Sequence, residues 1–150
     1  MTYKKEDLAY LAGVMDSDGW ITLRKNGRTK MGIRTQFVLK IGVGQTKRTI
    51  VDWIQENFGG SIYTEKRPYP KRDMHRWGAT SKTAKEILEL IYPYLKMKKE
   101  QAKLALEFQE TILPKSHGYK LGLGGLQEIR EKMVESMHVL NLKGKLSYGT

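Results

Sequence analysis

The chain has 150 residues, of which 39% are hydrophobic, and this size and composition suit one globular domain with a substantial core. Its 27 lysines and arginines against 16 acidic residues give a formal charge of +11, which predicts a polyanionic partner, most often nucleic acid. The lack of cysteine excludes disulfides and cysteine-ligated zinc, and no stretch approaches the ~18 apolar residues of a membrane span.

The first predicted element is a short helix over residues 5–15 that is apolar almost all round. Ala9 and Gly13, four residues apart, give it a face of small residues that would let another backbone approach closely. A helix that is apolar all round is normally buried on every side, so we expect this one to lie between the core and another chain. Its other apolar face would be formed by Leu8, Leu11, Ala12 and Met15.

Two acidic residues, Asp16 and Asp18, follow at the C-terminal end of this helix, where the helix dipole disfavours negative charge. A hard divalent cation is a natural compensating charge, although an Asp-Ser-Asp-Gly segment would also suit an ordinary turn. Gly19 is expected to end the helix in a left-handed cap. An EF-hand calcium loop is excluded, because Ile21 and Gly27 stand where that loop needs glycine and glutamate.

Two segments of alternating apolar and polar residues follow, over 20–25 and 33–43, with an Asn-Gly turn after the first. No acidic residue occurs between Ile21 and Val51, whereas an ordinary solvated sheet face mixes both signs of charge. We therefore expect a DNA-facing sheet, since Arg and Lys can hold phosphates or guanine and Gln can pair with adenine. The predicted outward residues of the second segment are Arg34, Gln36, Val38 and Lys40, and the inward ones are Ile33, Thr35, Phe37, Leu39 and Ile41.

The next part of the chain is predicted to repeat this order, with one helix followed by two strands. A helix capped by Thr46 would run to Asn57 and stop at the Gly-Gly pair that follows. Strands are expected over 61–67 and 73–80, separated by an exposed basic turn. The sequence leaves open which residue of the last strand faces inward, Arg76 or Trp77.

Helices are predicted to fill the rest of the chain. Ser81 would cap the first, which is interrupted near Pro93, and the next would span about 99–112. A last helix is expected over about 122–140, with 141–150 as a loose tail. Its inward residues would be Leu126, Ile129, Met133, Met137 and Leu140.

The nonapeptide at residues 11–19 resembles the LAGLIDADG signature of homing endonucleases. The matches are Leu11, Ala12, Gly13, Asp16, Asp18 and Gly19, and the departures are Val14, Met15 and Ser17. The order of elements extends the resemblance over about 7–113. It implies an α+β fold: an αββαββα core over about 5–113 with a curved four-stranded antiparallel DNA-binding sheet, followed by extra C-terminal helices, in a single domain.

The chain has one copy of the motif, and family members of that kind act as homodimers. The resemblance therefore implies that the first helices pair around a twofold axis. The residues expected at this interface are Ala9, Ala12, Gly13 and Asp16. Asp16 is also expected to support the helix end rather than to bind metal.

The resemblance also implies an intron-encoded, site-specific endonuclease that cleaves double-stranded DNA across the minor groove by metal-dependent phosphodiester hydrolysis. The target would be long and pseudo-palindromic. Asp18 and the backbone carbonyl of Ser17 would bind Mg²⁺, which Mn²⁺ could replace, and Gln45 and Lys98 would complete the catalytic group. The expected DNA-binding residues are Arg24, Arg34, Gln36, Lys40, Tyr63, Arg67, Arg72 and Arg76.

Three other functions suit the same sequence: an RNA splicing maturase or a non-cleaving DNA-binding regulator on the same fold, and a chromatin-like protein that binds DNA through the basic sheet alone. The presence of Asp18, Gln45 and Lys98 argues against loss of cleavage. Residues 1–6 are too polar for a secretory signal, so we expect an intracellular protein of the cytoplasm, nucleoid or an organelle.

Overall fold

Five helices and one four-stranded sheet make up the described part of the chain, which comprises residues 2–28, 35–112 and 123–146 of a computed structural model. The four strands pair antiparallel in the order β1-β2-β4-β3. The predicted α+β fold with an αββαββα core is therefore confirmed. The elements are α1 (Lys5–Asp18), β1 (Gly19–Arg28), β2 (Thr35–Gln45), α2 (Arg48–Phe58), β3 (Ser61–Glu65), β4 (Met74–Thr80), α3 (Ser81–Ile91), a 3-10 turn (Tyr92–Tyr94), α4 (Lys99–Glu110) and α5 (Leu123–Leu146).

One face of the sheet carries the apolar core, and the helices pack against it. The alternation predicted for the first two strands is confirmed wherever the structure describes side chains, since Ile21, Leu23 and the odd-numbered residues from 37 to 43 are buried. In β4 it is Trp77 that faces inward: it is fully buried and its Nε1 donates to the carbonyl oxygen of Gly59 at 2.8 Å. Arg76 is exposed on the opposite face, which no helix covers in the described residues.

Helix α1 is longer than predicted, because it continues to Asp18 and so contains both acidic residues in its last turn. The expected left-handed cap at Gly19 is wrong: this residue has extended dihedral angles, φ −94° and ψ 173°, and begins β1. A glycine is needed there for space. A Cβ at position 19 would lie 2.8 Å from Met15 Cα and 2.9 Å from the Met15 carbonyl oxygen.

Two predicted helix caps are also wrong. Helix α2 begins at Arg48 after Lys47, and Thr46 makes no capping hydrogen bond. Ser81 is the first residue of α3 rather than its cap, with φ 51°. The Gly-Gly stop after α2 is confirmed, since Gly59 and Gly60 have φ angles of 80° and 89° that glycine adopts at little cost.

The C-terminal helix differs most from the prediction. Helix α5 continues through Leu146, so the tail predicted from residue 141 is wrong for 141–146. Met137 is buried as expected, but Ile129 is 47% exposed, so its predicted inward position is wrong. The side chain of Leu126 lies outside the described residues. Strand β3 is also shorter than predicted, ending at Glu65.

Candidate active site and nucleic-acid interface

The C-terminal end of α1 and the end of β2 lie side by side. Gly19 pairs with Val43, so Gln45, two residues further along β2, lies beside the last turn of α1. The Gln45 Nε2 donates to Asp18 Oδ2 at 2.8 Å, and the Asp18 side chain is exposed to solvent. The strand register thus brings together two residues that are 27 positions apart in sequence.

Asp16 holds the segment that precedes α4. Its carboxylate accepts three backbone N–H groups, from Lys96 at 2.8 Å, Met97 at 3.1 Å and Lys98 at 3.0 Å. These amides lie at the N-terminal side of α4, where the helix dipole favours a negative charge. The carboxylate is therefore compensated within the chain, in keeping with the expectation that Asp16 supports the helix end.

Lys98 makes a second contact with Asp16 through its side chain. Its Nζ donates to the backbone carbonyl oxygen of Asp16 at 2.7 Å. Partial burial lowers the pKa of Lys98, while the nearby carboxylates of Asp16 and Asp18 act in the opposite direction. A cation at the C-terminal end of a helix is also favoured by the helix dipole. Lys98 and Gln45 therefore both contact the last turn of α1, and the structure brings the three expected catalytic residues together.

The exposed Asp18 carboxylate offers the oxygen donors that a hard divalent cation prefers. Ser17 lies in the last turn of α1, where backbone carbonyls have no partner further along the helix, and its hydroxyl donates back to Gly13 O at 3.0 Å. Among residues 2–28, 35–112 and 123–146, no three His, Asp or Glu side chains come close enough to hold a metal ion. One chain thus supplies suitable ligands but only part of a coordination sphere.

The outer face of the sheet presents polar side chains along a shallow groove. Of the expected DNA-binding residues, Arg24, Lys40, Tyr63 and Arg76 line this groove, and Gln36 is exposed on the same face of β2. Trp20 and Thr80 line the groove as well, although neither is among the expected DNA-binding residues. Trp20 directly precedes the buried Ile21, so the alternation of β1 puts Trp20 on the polar face, and this pattern is the signal that could have identified it.

The other expected DNA-binding arginines are in different situations. Arg67 and Arg72 lie between β3 and β4, where the Arg67 Nε donates to the carbonyl oxygen of Arg72 at 2.7 Å. Arg76 forms an ion pair with Glu65, with Nη2 at 2.8 Å from Oε2, on the surface where such pairs contribute little to stability. Arg34 lies outside the described residues.

The exposed side of α1 carries two small residues. Ala9 and Gly13 are exposed, and a Cβ added to Gly13 would have no atom within 4 Å. Ala12, by contrast, is fully buried within its own chain, so the expectation that it contacts a second chain is corrected. Tyr10 extends the exposed surface and packs edge-on against Trp53 of α2, with ring centroids 5.1 Å apart.

None of the helices in the described part of the chain has an apolar stretch long enough to cross a membrane. A family model described as LAGLIDADG endonuclease matches residues 11–112. The search of curated proteins finds no match.

Several solved structures resemble this fold. The homing endonuclease I-CvuI, in complex with its target in the presence of 2 mM Ca, is 25% identical with a TM-score of 0.74, covering 90% of this chain and 82% of that one. I-CvuI with the I-CreI target in 2 mM Mg, with the DNA not cleaved, is 26% identical over 91% of this chain and 82% of that one, with a TM-score of 0.74. The archaeal intron-encoded homing endonuclease I-Vdi141I, complexed with DNA, shares the fold at 16% identity and a TM-score of 0.70, covering 92% and 86% of the two chains. Since the family model matches well over half of the sequence and the motif occurs once, the chain belongs to the LAGLIDADG endonuclease family, as a member of the single-motif type.

Proposed function

We propose that this protein is a site-specific homing endonuclease that cleaves both strands of a long, pseudo-palindromic DNA target by divalent-metal-dependent phosphodiester hydrolysis. The observation that carries the proposal is the group at the end of α1, where Gln45 holds Asp18 and Lys98 contacts the carbonyl of Asp16. This group lies next to an uncovered basic sheet face. The DNA complexes of the neighbouring homing endonucleases support the same function.

Each residue of the group would have a separate role. Asp18, with the backbone carbonyl of Ser17, would hold Mg²⁺ or, in its place, Mn²⁺. The chemistry supplied by the bound cation is activation of water and stabilisation of the leaving oxygen. Gln45 fixes one oxygen of Asp18 and leaves the other free, and its amide can also orient a water molecule. Lys98 would place a positive charge near the scissile phosphate.

A second copy of the chain would complete the site. One protomer offers a single exposed carboxylate at the end of α1, whereas double-strand cleavage needs one reaction on each strand. The small exposed residues Ala9 and Gly13 would let two α1 helices pack closely about a twofold axis. Both Asp18 residues would then lie together over the minor groove, and the twofold axis would match a pseudo-palindromic target.

The sheet would supply the binding energy and the sequence specificity. The formal charge of +11 and the basic residues of the groove favour DNA, and each phosphate contact would contribute about −0.9 to the slope of log K against log salt. Because a β-ribbon fits the major groove, about 12 Å wide, better than the minor groove, about 6 Å wide, each sheet would lie along a major groove.

The test is selection from a randomised double-stranded DNA library, sequencing the molecules that are cut in Mg²⁺ and those that are bound in Ca²⁺. We expect one family of pseudo-palindromic sites, bound in both conditions, and cut on both strands only in Mg²⁺ or Mn²⁺. Specific binding without cleavage in either metal would indicate a regulator. Binding without sequence preference would indicate a chromatin-like protein. A competition assay with a folded RNA tests the maturase alternative, which a preference for the RNA over the selected DNA would indicate.

A further inference from the structure

One row of residues across the sheet has an unusual composition. Trp20 pairs with Gly42, Gly42 pairs with Gly78, and Gly78 pairs with Ser61. The row therefore crosses all four strands on the outer face, with one large aromatic side chain, two residues without side chains and one small hydroxyl. It is the row that begins one residue after the turn from α1 into β1, close to Asp18.

The indole of Trp20 lies across Gly42. A Cβ at position 42 would be 2.1 Å from Trp20 Cζ2 and 2.6 Å from both Cε2 and Cη2, so no side chain fits beneath the ring. The second glycine is less crowded, since the nearest atom to a Cβ at Gly78 is the carbonyl oxygen of Ile41 at 3.5 Å. The row thus forms a low, largely apolar floor between the basic and aromatic side chains that line the groove.

Packing in the core does not account for Trp20. Trp77, on the opposite face of the sheet, is fully buried and its indole N–H donates to Gly59. Trp20 is half-buried, and its indole N–H makes no hydrogen bond to any residue of 2–28, 35–112 and 123–146. A tryptophan left in this state on a binding face is better explained by contact with the ligand than by stabilisation of the free protein.

We propose that Trp20 reads the C5-methyl group of a thymine, at one base pair in each half-site. This inference rests on the proposed function, in which the outer face lies along the major groove. The thymine methyl is the apolar group that base pairs present there, and apolar side chains recognise it by contact. The glycines beside Trp20 supply no side-chain donor or acceptor that would favour another base, and they leave room for the base edge to approach the indole.

The experiment removes the methyl group alone. In the selected target, each thymine of a half-site is replaced in turn by deoxyuridine, and binding of the intact protein is measured in Ca²⁺. We expect one position per half-site at which the replacement weakens binding by about three- to tenfold, a fraction of the discrimination that a good base contact gives. Placing 5-methylcytosine instead of cytosine at that position should recover part of the affinity, because it presents the same methyl group.

The variant Trp20→Ala should abolish the difference between thymine and deoxyuridine at that position. Trp53→Ala, which removes another half-buried tryptophan on α2, should keep the difference whatever it does to overall affinity. The readout is the ratio of the affinities of one variant for the thymine and the deoxyuridine target. A general loss of stability lowers both affinities equally and leaves this ratio unchanged. If Trp20→Ala fails to fold, two other variants test the same contact. Trp20→Phe should keep part of the difference between thymine and deoxyuridine. Gly78→Ala has room for its methyl group, which should hold the base edge further from the sheet and so reduce the difference.

The outcomes separate this inference from the function on which it rests. Specific binding without any deoxyuridine-sensitive position, or with a sensitivity that the Trp20 variants leave unchanged, would overturn the role of Trp20 alone. Failure to obtain any sequence-specific DNA binding would overturn both.

Discussion

The end of α1 and the outer face of the sheet are both polar, but they are organised differently. At the end of α1, Asp16 accepts three backbone N–H groups and Asp18 is held by Gln45. On the sheet face, the side chains of Arg24 and Lys40 make no hydrogen bond to any other residue of the described chain. A reacting phosphate demands fixed geometry, whereas side chains that read bases must adapt to them. The difference suggests that cleavage and recognition can be disrupted separately.

The largest expected effect comes from removing the carboxylate of Asp18. Asp18→Asn should reduce cleavage in Mg²⁺ by about a thousandfold or more, because metal-assisted hydrolysis depends on several kcal/mol of charge stabilisation. DNA affinity measured in EDTA should stay close to wild type, since this carboxylate does not face the sheet groove. Single-turnover cleavage and gel-shift assays measure the two quantities.

Asp7→Asn, on the first turn of the same helix, is the matched control and should leave cleavage and binding unchanged. Cleavage by Asp18→Asn within about tenfold of wild type, a loss of only ~1.4 kcal/mol, would contradict the assignment of Asp18 as the metal ligand.

Substitution of Asp16 should have a different effect, with a loss of stability as well as of cleavage. Asp16→Ala leaves three backbone N–H groups of residues 96–98 without their charged acceptor, and hydrogen bonds of this kind contribute roughly 1.5 kcal/mol each at the least. We expect the free energy of unfolding to fall by about 4.5 kcal/mol, measured by urea denaturation. Because Lys98 is positioned by the same segment, the cleavage rate should also fall, with the substrate concentration for half-maximal rate unchanged.

Asp16→Asn distinguishes positioning from simple destabilisation. Its amide oxygen can accept part of these hydrogen bonds, so this variant should recover part of the stability and of the cleavage rate together. If Asp16→Ala unfolds at the same urea concentration as wild type, the contacts at residues 96–98 do not stabilise the fold.

Gly13 affects both regions through the proposed dimer. Pairing of the two α1 helices would place two catalytic groups and two sheets about one twofold axis. Gly13→Leu should weaken dimerisation by about 3 kcal/mol, roughly a hundredfold, since a bulky side chain would separate the paired helices. The protomer itself should remain folded, as a Cβ at position 13 meets no atom of its own chain within 4 Å. Sedimentation equilibrium over a range of concentrations measures the dissociation constant. A wild-type protein that stays monomeric, both alone and on its selected DNA site, would contradict the dimer.

The sequence predicted the parts of this structure that local pattern or the family motif determines. Alternation identified the inward residues of β2, from Phe37 to Val43, because a two-residue period has only two possible phases. The nonapeptide and the order of elements led to the expectation that Asp18, Gln45 and Lys98 form one group, and the structure brings these three residues together at the end of α1. Their proximity depends on strand register and on the segment before α4, which no local pattern of the chain encodes.

The errors came from positions where the local pattern suits two structures. An all-apolar helix does not reveal which side faces its own core, so Ala12 was assigned to the interface although it is buried. A glycine after a helix suggests a positive φ, whereas Gly19 is required by the close approach of Met15. The inward position of Trp77 depends on the partners of β4 and on the carbonyl of Gly59, which are distant in sequence.

The smallest expected effect tests whether the sheet face reads bases one at a time. Gln36 is exposed on the outer face of β2, and its side chain makes no hydrogen bond to the rest of the described chain. Its amide can donate and accept at once, which suits adenine in the major groove. Gln36→Ala should therefore change the preference at one base pair in each half-site by about 1–3 kcal/mol and leave the other positions unchanged. The measurement is a binding profile over all single-base variants of the target in Ca²⁺. Lys85→Ala, on α3 beside Glu89 and Glu110, is the control and should reproduce the wild-type profile. If Gln36→Ala instead weakens binding to every variant equally, Gln36 contacts the backbone of the DNA, and specificity belongs to other residues of the face.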